Sequence, residues 1–243
     1  MGFYSEISRY YDEIFVAGAS ELAFVNRLLH GRKTVLDVGC GTGNKTELFS
    51  TADNTIHAFD SDPEMIARAK AKHPGHSIEY LVSDMLEVDK KYAGLSFDAA
   101  LCLGNTFVHL DSEKQIAEML KKLDDLLSAD GILVIQILNY DWIIRQNITE
   151  LPLIETESVV FSRHYEWEDG ALFFKADLVV KATGETVQNR VRLFPLLKKD
   201  LTSLLSQSAF TELEFYGGYD GRPLKDDSFV LIVVARKRND ALR

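Results

Sequence analysis

One segment, TVLDVGCGTG at positions 34–43, constrains the fold of this chain more than any other. Its first half, TVLDV, consists of apolar or β-branched residues apart from one acid, which predicts a buried strand. Its second half has glycine at positions 39, 41 and 43, where the backbone can turn sharply and a ligand can approach it closely. The segment therefore predicts a strand, a glycine-rich turn and a helix, with a ligand at the turn.

Two classes of cofactor bind to turns of this kind. Dinucleotide-binding turns favour G-x-G-x-x-G, with a pyrophosphate at the helix N-terminus. Here the third glycine comes one residue early, and Asn44 stands where that pattern has glycine. Asp37 precedes the turn, and a carboxylate there suits a cationic ligand better than a pyrophosphate. The spacing resembles the nucleotide-binding signature of class I S-adenosylmethionine-dependent methyltransferases.

Later segments follow in the order that this resemblance implies. The segment TIHAFD at 55–60 predicts a second strand ending in Asp60, roughly 20 residues after the glycine turn, where a carboxylate can accept from both hydroxyls of a ribose. In the family, the residue at Met65 lies against the adenine ring. The segment IEYLVSDM at 78–85 predicts a third strand ending in Ser-Asp. In the family, an acid at Asp84 accepts from the adenine amino group and the backbone N–H of Met85 meets the ring.

A fourth strand is predicted from Phe97 towards Leu103, and a turn at 127–131 leads into a fifth. The resemblance implies S-adenosyl-L-methionine as the cofactor, held at the carboxyl ends of the first four strands. The residues predicted to bind it are Asp37, Gly39, Cys40, Gly41, Gly43, Asp60, Ser61, Met65, Asp84, Met85 and Leu103. Each acid taken singly has a structural alternative, as a helix cap or a turn residue.

The fold class implied is α/β: a Rossmann-like, seven-stranded methyltransferase sheet with an N-terminal helical lid and an inserted antiparallel β meander. We predict a single domain over 1–243, with the lid and helices at 1–32, the cofactor-binding core at 33–140, the meander at 155–195 and the end of the core sheet at 196–238. Strands are predicted at 158–167, 171–180 and 186–194, with short turns between them. Strands joined by hairpins cannot belong to a parallel sheet, so the meander lies outside the core.

Composition narrows the class of partner. The chain has 243 residues and a net charge of −10, which disfavours generic nucleic-acid binding because that binding depends on Lys and Arg. There is no apolar run of membrane-spanning length and no signal-peptide pattern, so we expect a cytoplasmic protein without a membrane partner. Its two cysteines, Cys40 and Cys102, fall at predicted strand ends, and no metal-ligand spacing is present. We expect a small-molecule acceptor, and the meander is a candidate surface for a homodimer.

The N-terminal segment resembles the lid of small-molecule methyltransferases, a Y-x-x-x-[A/S]-x-x-Y-D pattern matched by Tyr4, Ser8, Tyr11 and Asp12. In such enzymes the segment folds over the cofactor and excludes water. Its aromatic faces also attract a sulfonium. The alternative is an amphipathic segment that packs its aromatic face on the core.

A closer resemblance comes from LGNTFVHL at 103–110 and NYD at 139–141, which are similar to segments of glycine N-methyltransferase and its relatives. Those enzymes have an Arg, which holds the carboxylate of the amino acid, where this chain has Leu138. Glycine is therefore disfavoured as acceptor. Aminosugar N-methyltransferases have a similar lid and meander. We expect a small, uncharged or cationic acceptor, methylated on nitrogen or oxygen.

The candidate catalytic residues are His109, as a base, and Asn105 and Tyr11, which could orient the acceptor. His109 could instead cap or pack against the helix that follows it. Two other functions stay open: a nicotinamide-dependent oxidoreductase, and a non-catalytic nucleoside-binding module on the same fold.

Overall fold

The computed structural model describes residues 6–72 and 77–237. Its main sheet has seven strands: β1 (Thr34–Val38), β2 (Thr55–Asp60), β3 (Ile78–Val82), β4 (Phe97–Cys102), β5 (Leu127–Leu138), β10 (Phe210–Tyr216) and β11 (Val230–Lys237). Their order across the sheet is β10-β11-β5-β4-β1-β2-β3. The first five strands pair in parallel, and β11 is antiparallel to both of its neighbours. This sheet confirms the predicted α/β fold class.

Helices cover both faces of the main sheet because its strands are buried on both sides. The helices are α1 (Tyr11–Ile14), α2 (Ala19–Leu29), α3 (Thr46–Phe49), α4 (Pro63–Lys72), α5 (Val88–Lys91), α6 (Glu113–Leu126), α7 (Tyr140–Arg145) and α8 (Lys198–Leu205). Helix α6 buries Ile116, Met119 and Leu123 in one core cluster, and α2 buries Phe24 and Val25 in the other. Two short 3-10 helices, Met85–Glu87 and Thr106–His109, follow β3 and β4. No helix in the described ranges is long and apolar enough to span a membrane.

The second sheet is the predicted antiparallel meander. Three long strands, β7 (Val159–Glu168), β8 (Ala171–Val180) and β9 (Thr186–Leu193), match the expected positions, and the two-residue β6 (Ile154–Glu155) adds a fourth. One face of this sheet buries apolar residues such as Phe161 and Leu178. Its other face carries charges that pair within the sheet, including Lys175 with Glu166 at 2.7 Å. That charged face is a poor surface for an apolar dimer contact.

One local expectation differs from the structure. The predicted turn at 127–131 is instead the start of β5, where the pairing with β4 jumps from Phe97↔Leu127 to Ala99↔Ile132. The irregularity absorbs the polar residues of that segment without ending the strand. Within the described part of the N-terminal segment, Glu6 and Ile7 are helical and α1 is a further single turn before α2; Tyr4 lies outside the described residues.

Candidate active site

A cavity of about 630 Å³ opens at the carboxyl ends of the parallel strands, within the size range of small-molecule sites. Open α/β sheets bind their ligands at this edge. The predicted site residues that line it are Tyr11, Gly39, Gly41, Asp60, Ser61, Met65, Asp84, Met85 and His109. The others, Asp37, Cys40, Gly43, Leu103 and Asn105, lie around the cavity and not on its described wall.

The glycine turn leaves no room for side chains. Gly41 has a φ of +56°, and a Cβ built there would lie 3.1 Å from Cε1 of Tyr11. Gly39 has a φ of +71°, and its Cβ would collide with the side chain of Thr106. Both residues therefore need glycine for conformation and for space. The turn brings bare main chain to the cavity, with the Tyr11 ring against it.

The carboxylate of Asp60 is held in place by the backbone. Its Oδ2 accepts the N–H of Gly41 at 2.9 Å and its Oδ1 accepts the N–H of Asp62 at 3.0 Å. Burial raises the pKa of Asp60 above its usual range. Each oxygen has a second lone pair, so an oriented acceptor for two hydroxyl groups stands at the end of β2.

Two other acids of the cavity also act as helix caps, which is the alternative role that the sequence left open for them. Asp62 accepts from the N–H groups of Glu64 and Met65 at the start of α4. Asp84 accepts from the N–H of Leu86 at 2.7 Å and caps the 3-10 helix after β3. Capping fixes each carboxylate relative to its strand end and does not exclude contact with a ligand.

Asp37 lies beneath the glycine turn and is buried. Its Oδ2 accepts the hydroxyl hydrogen of Thr46 at 2.6 Å, which ties β1 to the helix after the turn. Burial raises its pKa to about 6, and the hydrogen bond from Thr46 and the positive charge of Lys45 counteract the shift. Asp37 is thus a support of the turn. Cys40 is buried beside it, and Gly43 packs against the hydroxyl of Tyr80.

Asn105, which follows β4 next to the lining residues Gly104 and Thr106, is in the left-handed conformation, with a φ of +67°. Its Oδ1 accepts the N–H of Leu138 at 2.9 Å, and its Nδ2 donates to the hydroxyl of Tyr140 at 3.0 Å. Both ends of the amide are therefore engaged within the protein. These contacts attach the loop after β4 to the end of β5. The observed role of the Asn105 side chain is therefore to position this loop.

His109 ends the 3-10 helix Thr106–His109 and lines the cavity. Burial lowers the pKa of its imidazole below the ordinary value of 6.5. The ring is therefore neutral at neutral pH and can accept a proton. This is the protonation state that a general base requires.

The N-terminal segment joins the glycine turn to the meander. Asp12 accepts from the hydroxyl of Thr42 in the turn and pairs with Lys72 on α4. On the other side, Glu13 accepts the N–H of Ser158 at 3.0 Å, and Ile14 is buried against the meander. None of the residues lining the described cavity belongs to the meander. In the described structure the meander carries the lid and does not wall the cavity.

The cavity is strongly acidic. Five carboxylate residues line it, and no Lys or Arg of the described chain does: Asp60, Asp62, Glu64, Asp84 and Asp111. Since His109 is neutral there, the described wall offers no cationic side chain to a ligand. Such a wall favours ligands that carry positive charge and disfavours anions.

Several lining residues were missed from the sequence, among them Ser83, Thr106, Asp111 and Gln115. The sequence held a signal for the last two, because Ser112 and Gln115 have the spacing of a capping box. Ser112 Oγ accepts the N–H of Gln115 at 3.3 Å. In return, Gln115 Oε1 accepts the N–H of Asp111 at 2.7 Å, where a standard capping box would accept the N–H of Ser112 itself. That contact fixes the main chain of Asp111 beside the cavity.

Comparisons with known proteins agree with this geometry. A family model described as a methyltransferase domain matches residues 35–131. The chain is 28% identical over 212 residues to a glycine/sarcosine N-methyltransferase of Aphanothece halophytica, covering 86% of this chain and 77% of that protein.

Two solved structures share the fold. An S-adenosylmethionine-dependent methyltransferase from Clostridium acetobutylicum superposes with a TM-score of 0.82 at 16% identity, over 98% of this chain and all of that one. The second is an amino pentose methyltransferase from Micromonospora echinaspora, with S-adenosylmethionine bound and involved in calicheamicin biosynthesis. It superposes with a TM-score of 0.71 at 18% identity, over 98% of this chain and 97% of that one.

Proposed function

We propose that this chain, which belongs to the class I S-adenosylmethionine-dependent methyltransferases, methylates an amine nitrogen of a small, uncharged or cationic acceptor. Family membership disfavours the nicotinamide-dependent alternative. The observation that carries the acceptor class is that no Lys or Arg lines the described cavity wall, so an acceptor carboxylate would find no cationic partner there.

The residues at the glycine-turn end fit the family cofactor. S-Adenosylmethionine, when bound, supplies a methyl group on a positively charged sulfur. The backbone-held carboxylate of Asp60 suits two ribose hydroxyls, and Phe59, Met65 and Leu86 supply apolar surface for a flat ring. Asp84 suits an amino group as hydrogen-bond acceptor. The bare main chain at Gly39 and Gly41 allows a ligand to approach closely.

The acceptor class follows from charge. The Aphanothece relative is named for glycine and sarcosine, which carry a carboxylate. Where the glycine-methylating enzymes have the Arg that holds it, this chain has Leu138, whose N–H is already donated to Asn105. An acceptor carboxylate would find no cationic side chain on the described wall to offset the negative charge of the carboxylates there. An amine or an amino sugar without a carboxylate meets no such penalty, and the amino pentose methyltransferase is a precedent for that class.

The protein must also leave the acceptor nitrogen with a free lone pair. An amine in water near neutral pH is mostly protonated, so one proton has to be removed before transfer. Neutral His109 at the cavity wall is the described group suited to accept it. Tyr11, packed on the glycine turn, covers the cavity and keeps water from the reacting pair.

The test is turnover on a panel of small acceptors, measured as S-adenosylhomocysteine released. Amines and amino sugars should be methylated, while glycine and other carboxylates should react at least about tenfold more slowly in kcat/KM. Mass spectrometry of the product, with the methyl group located on nitrogen, separates N- from O-methylation. Rapid methylation of glycine would overturn the argument from Leu138 and the acidic wall.

A further inference from the structure

We infer that Lys122 is a positioning residue for the cofactor, because its ammonium group holds the cavity segment 83–86 where that segment can recognise an adenine ring. This inference rests on the proposed function, in which Asp84 and Leu86 meet the flat ring of S-adenosylmethionine. Lys122 is not among the residues that line the described cavity, so it acts through the main chain of Leu86.

The segment 83–86 is a continuous part of the cavity wall, directly after β3. Two hydrogen bonds fix the main chain of Leu86 within this wall. Its N–H donates to Asp84 Oδ1 at 2.7 Å, and its carbonyl accepts from the ammonium of Lys122. The first bond is local, whereas the second joins the segment to α6, 36 residues further along the chain.

Lys122 is itself held by two carboxylates. Its Nζ lies 3.1 Å from Oδ1 of Asp89 on α5 and 2.9 Å from Oε1 of Glu118, one turn earlier on α6. Its side chain is 17% exposed, although lysine is normally among the most exposed residue types. The hydrogen bond with Glu118 raises the pKa of Lys122 above its usual value. The group therefore stays charged near neutral pH, and its bond to the carbonyl of Leu86 is charge-assisted.

The adjacent residue, Lys121, offers a direct contrast. It pairs with Asp125 one turn further along α6, its side chain is 74% exposed, and this ion pair involves α6 alone. Exposed pairs of this kind contribute little to stability. Lys122, in contrast, joins α6 to α5 and to the cavity wall. Its removal would take the donor from the carbonyl of Leu86 and the cation from two carboxylates.

The contact with Leu86 matters for the cofactor because of its effect on Asp84. One oxygen of that carboxylate, Oδ1, is engaged with the N–H of Leu86, and a carboxylate oxygen left over can accept a hydrogen from an amino group of the ring. Such a bond depends steeply on the position of the carboxylate. If loss of Lys122 lets the segment move, the bond to the amino group should weaken most.

The experiment measures the affinity of the full-length protein for S-adenosylhomocysteine and for its 6-deamino analogue, in which the purine ring has hydrogen in place of the amino group. Lys122→Met removes the ammonium and keeps the aliphatic stem. Lys121→Met is the matched control at the adjacent, exposed position. Thermal unfolding shows whether each variant is folded, and Lys122→Gln takes the place of Lys122→Met if that variant is not.

The wild type should bind S-adenosylhomocysteine about tenfold more tightly than the analogue, which is the effect of one charge-assisted hydrogen bond. In Lys122→Met the affinity for S-adenosylhomocysteine should fall about five- to tenfold, while the affinity for the analogue changes by less than about threefold. The preference for the amino group should therefore nearly disappear. Lys121→Met should keep the preference of the wild type.

A merely structural role of Lys122 would weaken the binding of both ligands equally. An unchanged preference in Lys122→Met would therefore overturn the inference. A wild type without any preference would overturn it as well, because the segment would then not recognise the amino group. Wild-type turnover of amine acceptors tests the proposed function separately, since methyl transfer to an amine does not require this preference.

Discussion

The two ends of the cavity are built by different means. At the glycine-turn end, the carboxylates of Asp60, Asp62 and Asp84 are fixed by backbone N–H groups, mostly of residues two or three positions away. On the side where we propose that the acceptor binds, the loop after β4 is fixed by residues more than 30 positions away. Asn105 contacts Leu138 and Tyr140, and the N–H of Gly104 donates to Gln136 Oε1 at 2.8 Å.

This difference explains how the glycine-turn end can be common to many proteins while the other end is particular to this chain. Local hydrogen bonds depend on spacing along the chain, so the same spacing gives the same cofactor site in many proteins. Long-range contacts depend on which side chains β5 and α7 supply, and those residues can change without disturbing the cofactor. We therefore expect substitutions at the two ends to affect different measurements.

The largest effect should come from Gly41→Val. The new side chain would need a strained φ and would collide with the ring of Tyr11, so affinity for S-adenosylhomocysteine should fall at least about 100-fold. Gly94→Val is the control, because Gly94 has a φ of +84° with no atom within 4 Å of its Cβ. Calorimetry on both folded variants separates steric loss from backbone strain. Equal affinities in the two variants would mean that space at Gly41 is unimportant.

His109→Gln should lower kcat about 100-fold or more at neutral pH if the imidazole is the base. Because burial lowers the His109 pKa below 6.5, the wild-type rate should hold as pH falls to that value and decline only below it. This acidic limb should be missing from the variant.

The pH profile of kcat is the measurement, and exposed His30→Gln is the control. Identical profiles for the wild type and His109→Gln would remove His109 from proton transfer.

Asp60→Asn should weaken cofactor binding about 10- to 100-fold. Its amide has one acceptor oxygen where the carboxylate has two, so a charge-assisted hydrogen bond to a hydroxyl is lost. Asp62→Asn should have a much smaller effect, since asparagine caps helices as well as aspartate does. Titration with S-adenosylhomocysteine measures both variants. A larger loss in Asp62→Asn would reassign the hydroxyl acceptor to Asp62.

Tyr140→Phe should have the smallest effect and should confine it to the proposed acceptor end. Removing the hydroxyl frees Asn105 Nδ2 and loosens the loop that carries His109. The loss should be several-fold in kcat, with about 1 kcal/mol less stability and cofactor affinity within twofold of wild type. Steady-state kinetics and thermal unfolding measure these quantities. Cofactor affinity that falls as much as kcat would show that the two ends are not independent.

The sequence by itself determined the fold class and most of the glycine-turn end. Spacing alone predicted β1 and β2 at their observed bounds, the meander strands within one or two residues, and Asp60 at the cavity wall. Such features are local, because a strand, a turn and a helix N-terminus are specified by residues close together in the chain. Local patterns were less reliable where strand pairing decides the structure. Residues 127–131 were predicted as a turn and instead begin β5.

Only the tertiary structure decided what each polar group contacts. It showed Asp37 beneath the turn with Thr46, both ends of the Asn105 amide engaged, and the meander against the lid and away from the described cavity wall. It also placed the ammonium of Lys122 behind that wall, on the carbonyl of Leu86. A residue's type tells which hydrogen bonds and charges it can offer. Whether these are satisfied within the protein or left for a ligand depends on groups that are far apart in sequence and adjacent only after folding.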